Sequence, residues 1–306
     1  MITVDNLTKK FGDVTAVEGL TFQVKEGEVF GFLGPNGAGK TTTMRMLCCL
    51  ISKTSGEARI ADYEIGKVTD SLQIRKMIGL VPDNVGLYGD LSAFENLDFY
   101  GKLYECQEGR RRENIERFLK MLGLWDRKDA QVGSFSKGMK QKLALARALV
   151  HEPTILFMDE PTANLDPESA KTVRDFILEL KKQGRTIFFN THNLDEAQRI
   201  CDRIGIIKTR LLTVGSPEQL RESLSRPKTE IRLAKVTEAL VNTLKKLIPN
   251  SIEVSGDKLI IDVTDPDKEN PIIIAAITSN GGQVREVTQL IPTLEDVYLQ
   301  ITKETK

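Results

Sequence analysis

The stretch Gly34-Pro35-Asn36-Gly37-Ala38-Gly39-Lys40-Thr41-Thr42 narrows what this chain can be more than any other part of it. It separates a hydrophobic run, Glu28–Leu33, which reads as a buried strand, from Thr42–Leu50, which reads as a helix. The glycine-rich turn therefore opens onto a helix N-terminus, where backbone N–H groups and the helix dipole favour an anion. The pattern GxxxxGK[ST] is met by Gly34, Gly39, Lys40 and Thr41. Glycines let the backbone close on phosphate oxygens, the Lys40 ammonium reaches the β- and γ-phosphates, and the Thr41 hydroxyl suits Mg²⁺. A chance glycine-rich turn would not need the flanking strand and helix.

A chain of 306 residues suggests about two domains. Its 43 basic and 43 acidic side chains balance, so no overall field recruits nucleic acid or an anionic membrane, and no nucleic-acid partner is expected. The N-terminus carries no apolar leader, and no run approaches the ~18–20 apolar residues that span a bilayer, so the chain itself is expected to be soluble. Cys48, Cys49, Cys106 and Cys201 have neither metal-ligand nor disulfide spacing. Cys48 and Cys49 are expected on the helix after the phosphate turn, packing as small apolar groups.

Short alternating segments at Ile2–Val4 and Leu20–Val24 predict an antiparallel β layer before the phosphate turn. Phe11 falls in a loop of that layer, where it either stacks on a purine or simply packs. Residues 57–82 read as further short strands ending at Ile78–Pro82. From Ser92 to about Val150, Phe94, Leu97, Tyr100, Leu103 and Tyr104, then Ile115, Phe118, Leu119 and Leu122, recur at helical spacing. Beyond them, strand Ile155–Glu160, helix Pro167–Leu180, strand Thr186–Asn190, helix Asp195–Cys201 and strand Arg203–Lys208 alternate. Alternation of this kind means a mostly parallel sheet with its sites at the strand C-termini. After Ser225-Arg226-Pro227-Lys228 the order β-α-β-β-α-β, closed by a helix over Leu294–Ile301, matches a ferredoxin-like plait.

A phosphate turn alone says nucleotide but not reaction. Asp159, at the end of an apolar strand, is placed to hold Mg²⁺ through its water shell, and Glu160 beside it to polarise a water for in-line attack on a γ-phosphate. Ser136 is a good N-cap for a helix running on to Leu149, and the N–H groups of Lys137 to Met139 make an anion site, although a capped helix needs no ligand.

Together these motifs resemble the ATP-binding subunit of an ATP-binding cassette (ABC) transporter over residues 1 to about 220. GPNGAGKTT is similar to that family's Walker A, ILFMDEP to its Walker B, FSKGMKQK to its LSGGQ signature, ANLD at Ala163–Asp166 to its D-loop, and THNLDEA at Thr191–Ala197 to its switch-histidine segment. The resemblance implies that Phe11 stacks on adenine, that His192 contacts the γ-phosphate and orients Glu160, and that Ser136 and Gly138 reach nucleotide on a second subunit. Two ATPs would be sandwiched in a head-to-tail dimer. Where the family has a metal-ligating glutamine after its strand, this chain has Asp83 and then Asn84, and either side chain would serve. In the signature, Phe135, Lys137 and Met139 replace Leu, Gly and Gln. TLEDVYLQIT at Thr293–Thr302 resembles the tail of subunits serving exporters of drugs, antibiotics, ions or lipids.

The fold expected is therefore α/β: a P-loop NTPase ABC-type ATPase domain over residues 1–222, with an antiparallel β layer, a mostly parallel core sheet and a helical subdomain at about 90–150. A small α+β accessory domain of ferredoxin-like form follows over residues 228–306. The function expected is ATP hydrolysis with Mg²⁺, coupled to export by a separate transmembrane permease. The subunit would be paired with itself or a paralogue at the cytoplasmic face of the membrane. The competing reading is a soluble ABC-type ATPase acting on DNA, ribosomes or cofactor assembly. It lacks support from a second cassette, a long coiled coil or a basic stretch.

Overall fold

The computed structural model describes residues 1–224, 227–247, 251–290 and 293–304, and by internal packing it divides into two units, Met1–Pro217 and Glu218–Lys306. The change of pattern at Ser225-Arg226 lies outside the described residues.

In the first unit, β1 (Ile2–Phe11) and β2 (Val14–Val24) pair antiparallel. β3 (Val29–Leu33) then enters a second sheet and leads through the phosphate turn into α1 (Lys40–Leu47). β4 (Ser55–Ile60) and β5 (Tyr63–Glu64) return to the first sheet, whose order is β2-β1-β4-β5. Next come α2 (Val68–Met77), β6 (Ile78–Val81), and the helical segment α3 (Ala93–Leu103), α4 (Glu108–Met121) and α5 (Lys137–Leu149). β7 (Ile155–Asp159), α6 (Pro167–Lys182), β8 (Thr186–Thr191), α7 (Leu194–Ile200), β9 (Arg203–Lys208) and β10 (Arg210–Gly215) complete the second sheet, in the order β10-β9-β3-β8-β7-β6. All its neighbours are parallel except β10 on β9.

β3, β7 and β8 are buried at every residue, as parallel strands covered on both faces must be. Phe22 of the first sheet stacks on Phe30 of the second with ring centroids 5.5 Å apart, and Phe32 and Phe188 close around it at 5.5 and 6.0 Å. Each buried side chain of this size contributes about 1.5–3 kcal/mol. The cluster joins the two layers beneath the strand end that launches the phosphate turn.

The second unit contains α8 (Pro217–Leu224, from its second residue), β11 (Lys228–Leu233), α9 (Glu238–Leu247), β12 (Ile252–Ser255), β13 (Lys258–Asp262), α10 (Pro266–Ser279), β14 (Val284–Leu290) and α11 (Leu294–Glu304). Its sheet runs β12-β13-β11-β14, every pair antiparallel, which is the plait expected from the sequence. Ile231, Leu233, Leu244, Leu259, Ile261 and Ile277 form its core.

Several local expectations are corrected. α1 stops at Leu47, with Cys48 as its C-cap and Cys49 turning left-handed at φ 55°, so neither cysteine lies within the helix. The chain must reverse there to reach β4. α2 occupies ground read as strand; its only buried residue is Ile74, so it offers almost no helical periodicity to read. Phe11 is the last residue of β1, opposite Val14, and not a loop residue. Where the sequence pattern places the second plait helix at Pro271–Ser279, α10 already begins at Pro266, because Asp265 accepts the Lys268 N–H as its cap and Pro266 sits where a helix needs no N–H. The structure adds two elements that the sequence pattern does not mark, β10 and α8.

Candidate functional site

The parallel strands β3, β7 and β8 end together, and the segments leaving them build the site. Gly39 is the N-cap of α1 at φ 98°, and a Cβ there would stand 2.6 Å from the Ala16 carbonyl oxygen. Only glycine meets both conditions. At Gly34 a Cβ would lie 2.4 Å from the Ile207 carbonyl oxygen, so the turn is seated against β9. Gly37, at φ 80°, has open space around it.

Lys40 begins α1 but is buried, and its ammonium folds back to donate to the carbonyls of Gly34 at 2.6 Å and Pro35 at 3.1 Å. It lies 3.8 Å from Glu160 Oε1. Burial holds its pKa below the usual lysine range, opposed by the carboxylates of Glu160 and Asp159. Two backbone carbonyls and a carboxylate thus hold a cation ready at the mouth of the turn.

Asp159, the buried last residue of β7, accepts the Thr41 hydroxyl at 2.8 Å and the Asn190 amide at 3.0 Å. Glu160 turns sharply out of the strand at φ 50°, its N–H donating to Asn190 O at 3.0 Å. Its carboxylate meets His192 Nδ1 at 2.8 Å. A cavity of about 250 Å³ opens between these groups, lined by Asn36–Thr42, Asp83, Asp159, Glu160 and Ala16. Asn84 instead lines an adjoining cavity, which it shares with Asp83, Thr41 and Asp159.

Within the one chain, then, the phosphate turn, Asp83, Asp159 and Glu160 converge on one cleft, with His192 against Glu160. Ser136, Gly138 and Phe11 do not line it. Ser136 is the exposed N-cap of α5, accepting the Met139 N–H at 3.2 Å. Gly138 is buried, and a Cβ there would lie 2.4 Å from Ser169 Oγ, so it lets α5 approach the start of α6. Phe11 is 51% exposed, with the Lys9 ammonium 4.8 Å from its ring centroid.

Two residues outside the motifs also support the site. Asn190, which the sequence marks only as the end of a strand, holds Asp159 with its amide and Glu160 with its carbonyl. Arg147, late in α5, donates to the carbonyls of Leu80, Val85 and Gly86 while Tyr100 also donates to Gly86 at 2.9 Å. It thereby ties the segment around Asp83 to the helices. A polar residue inside an apolar strand was the readable signal for Asn190; nothing local marks Arg147.

Comparison with known proteins agrees with this geometry. Residues 17–163 match the family model described as ABC transporter, and residues 215–302 match that of the C-terminal domain of DrrA1-3-like ATP-binding proteins. The chain is 33% identical to a linearmycin resistance ATP-binding protein of Bacillus subtilis (strain 168), over 100% of this chain and 99% of that one. It is 35% identical to a Nod factor export ATP-binding protein of Rhizobium sp. (strain N33), covering 98% and 96%. Among solved structures, a dimeric ATP-binding cassette in a post-hydrolysis state, bound to ADP and Pi, superposes with a TM-score of 0.65 at 28% identity, over 71% of this chain and 98% of that one. The chain belongs to the ATP-binding subunits of ABC transporters, among relatives named for drug resistance, antibiotic resistance and Nod factor export, and is an ATPase.

Proposed function

We propose that this subunit binds two ATPs at the interface of a head-to-tail dimer and couples their hydrolysis to export by a separate membrane permease. The observation that carries the chemistry is the contact between Glu160 and His192 beside the Lys40 ammonium, at the open end of the phosphate turn. Glu160 takes the role of general base or water-orienting group, and His192 holds its carboxylate and reaches the γ-phosphate. Lys40 exchanges its two carbonyl partners for β- and γ-phosphate oxygens.

The donor set fits Mg²⁺. Thr41 Oγ1 and Asp159 Oδ2 are hard oxygens 2.8 Å apart on one wall of the cleft, with the Asp83 carboxylate on the same lining. Among the described residues no group of three or more acidic, histidine or cysteine side chains is spaced to hold a metal alone. That suits an ion held by one or two protein oxygens plus phosphates and water. Bound there, Mg²⁺ would neutralise charge developing on the phosphates. Asp83, which lines the phosphate cleft itself, is preferred to Asn84 in place of the family's glutamine.

Phe11, half exposed at the end of β1, is available to stack on adenine. Ser136 and Gly138 would serve the partner's ATP, consistent with neither lining the cleft of its own chain. The coupling surface is assigned to α3–α5 and the segment near Asp83, where Tyr88, Phe99 and Leu103 are exposed. The described residues contain no helix long and apolar enough to cross a membrane, and the subunit would work at the cytoplasmic face, on the permease.

The test is Glu160→Gln. It should bind ATP with near-normal affinity yet hydrolyse it at least ~10²-fold more slowly. Normal turnover would sink the assignment. Purification free of any membrane protein, together with nucleic-acid- or ribosome-stimulated turnover, would favour the permease-free reading.

A further inference from the structure

The turn that carries Glu160 is left-handed at both ends. Glu160 has φ 50° and Asn164 φ 57°, conformations that asparagine tolerates but that a residue such as Glu160 holds only where its surroundings impose them. Backbone bonds close the turn on itself, from Ala163 N–H to Glu160 O at 3.0 Å and from Leu165 N–H to Thr162 O at 3.3 Å. Among the described residues, the hydrogen bond that fastens a side chain of Pro161–Leu165 to another element is the one from the Thr162 hydroxyl to the carboxylate of Glu196.

Glu196 lies in the first turn of α7 and is 7% exposed. Its other oxygen accepts from Arg174 of α6 at 3.3 Å, and its N–H donates to the cap Asn193 at 3.2 Å. Asn193 in turn donates its N–H to Thr191 Oγ1 at 2.9 Å, on either side of His192. The contacts form a ring: Glu160 to His192, through Asn193 to Glu196, across to Thr162, and back along the turn to Glu160.

We propose that Glu196 is a positioning residue for ATP hydrolysis, its buried carboxylate clasping Thr162 so that the Glu160 carboxylate stays against His192. Glu196 does not line the phosphate cleft. It acts by fixing the turn on one side of the catalytic pair to the helix on the other. A buried carboxylate is suited to this because it accepts both the hydroxyl and the guanidinium, whereas an apolar residue would leave the buried Thr162 hydroxyl and the half-buried Arg174 guanidinium unpaired.

This inference rests on Glu160 and His192 being the hydrolytic pair, which Glu160→Gln tests separately. Steady-state ATPase assays and nucleotide-binding titrations on Glu196→Ala, Glu196→Gln and Thr162→Val, with melting temperatures, decide it. Glu196→Ala and Thr162→Val are expected to lower kcat about 10-fold with KM and ATP affinity within about 2-fold, the signature of a group that acts in the transition state alone. Glu196→Gln, which still accepts the Thr162 hydroxyl, should recover most of kcat. The double variant Thr162→Val/Glu196→Ala should be no slower than the worse single one, since both remove the same clasp. Overturning results are wild-type kcat in Thr162→Val, equal losses of kcat and ATP affinity, additive losses in the double variant, or no rescue by Gln in a variant that melts normally. If Glu160→Gln turns over normally, the assignment of the pair fails, whatever Glu196 does.

Discussion

At the scale of single residues, the site is set by a few side chains whose partners are far away in sequence. Asp159 is held by Thr41 and Asn190, 118 and 31 positions away, and Glu160 by His192, 32 positions away. Outside the cleft, His151 stacks on Tyr104 with centroids 3.7 Å apart, and its Nε2 faces Ile78 O at 3.0 Å. Burial pushes its pKa from 6.5 down to about 4. The folded state thus refuses a proton that the unfolded chain takes up. Stability should fall as pH drops below 6.5, by up to about 3 kcal/mol near pH 4, and be unaffected by this group above pH 6.5. Urea midpoints from pH 7.5 to 4.5 check it: His151→Gln should flatten the slope relative to wild type, and an unchanged slope would refute this role.

Among the elements, α5 shows how one residue serves a fold and a site at once. Ser136 caps the helix, and Ser136→Ala should cost about 1 kcal/mol of stability in urea denaturation. Because Ser136 does not line its own chain's cleft, ATP binding to the monomer should survive, while ATP-dependent association should be lost if it serves the partner's nucleotide. Gly138→Ala should be more damaging, since its methyl would meet Ser169 and push α5 from α6; a melting temperature within a degree of wild type would contradict that. Element type followed from sequence where burial is periodic or continuous, as in β3, β7, β8 and α6. It failed at α2, which buries only Ile74, and at β10, an edge strand of half-buried residues that carries no strong alternation.

For the whole molecule, the cleft of one chain contains the phosphate turn, both Walker B carboxylates and Asp83, but neither Ser136 nor Gly138. If the second half comes from another copy, Glu160→Gln with ATP and Mg²⁺ should sediment as a dimer and return to monomer with ADP; a monomer throughout would refute the sandwich. Sequence by itself determined the fold class, the order of the motifs and the identity of most groups that line the cleft, because each is written in contiguous residues: GPNGAGKTT, the apolar run before Asp159, the β-α-β-β-α-β order after residue 227. Only the tertiary structure decided that Asn190 holds Asp159, that Asp83 rather than Asn84 lines the phosphate cleft, that Gly138 is spaced for Ser169, and that Glu196 meets Thr162. Those contacts join residues from different strands and helices. Their energies depend on burial and on angstrom-scale approach, which no local pattern encodes.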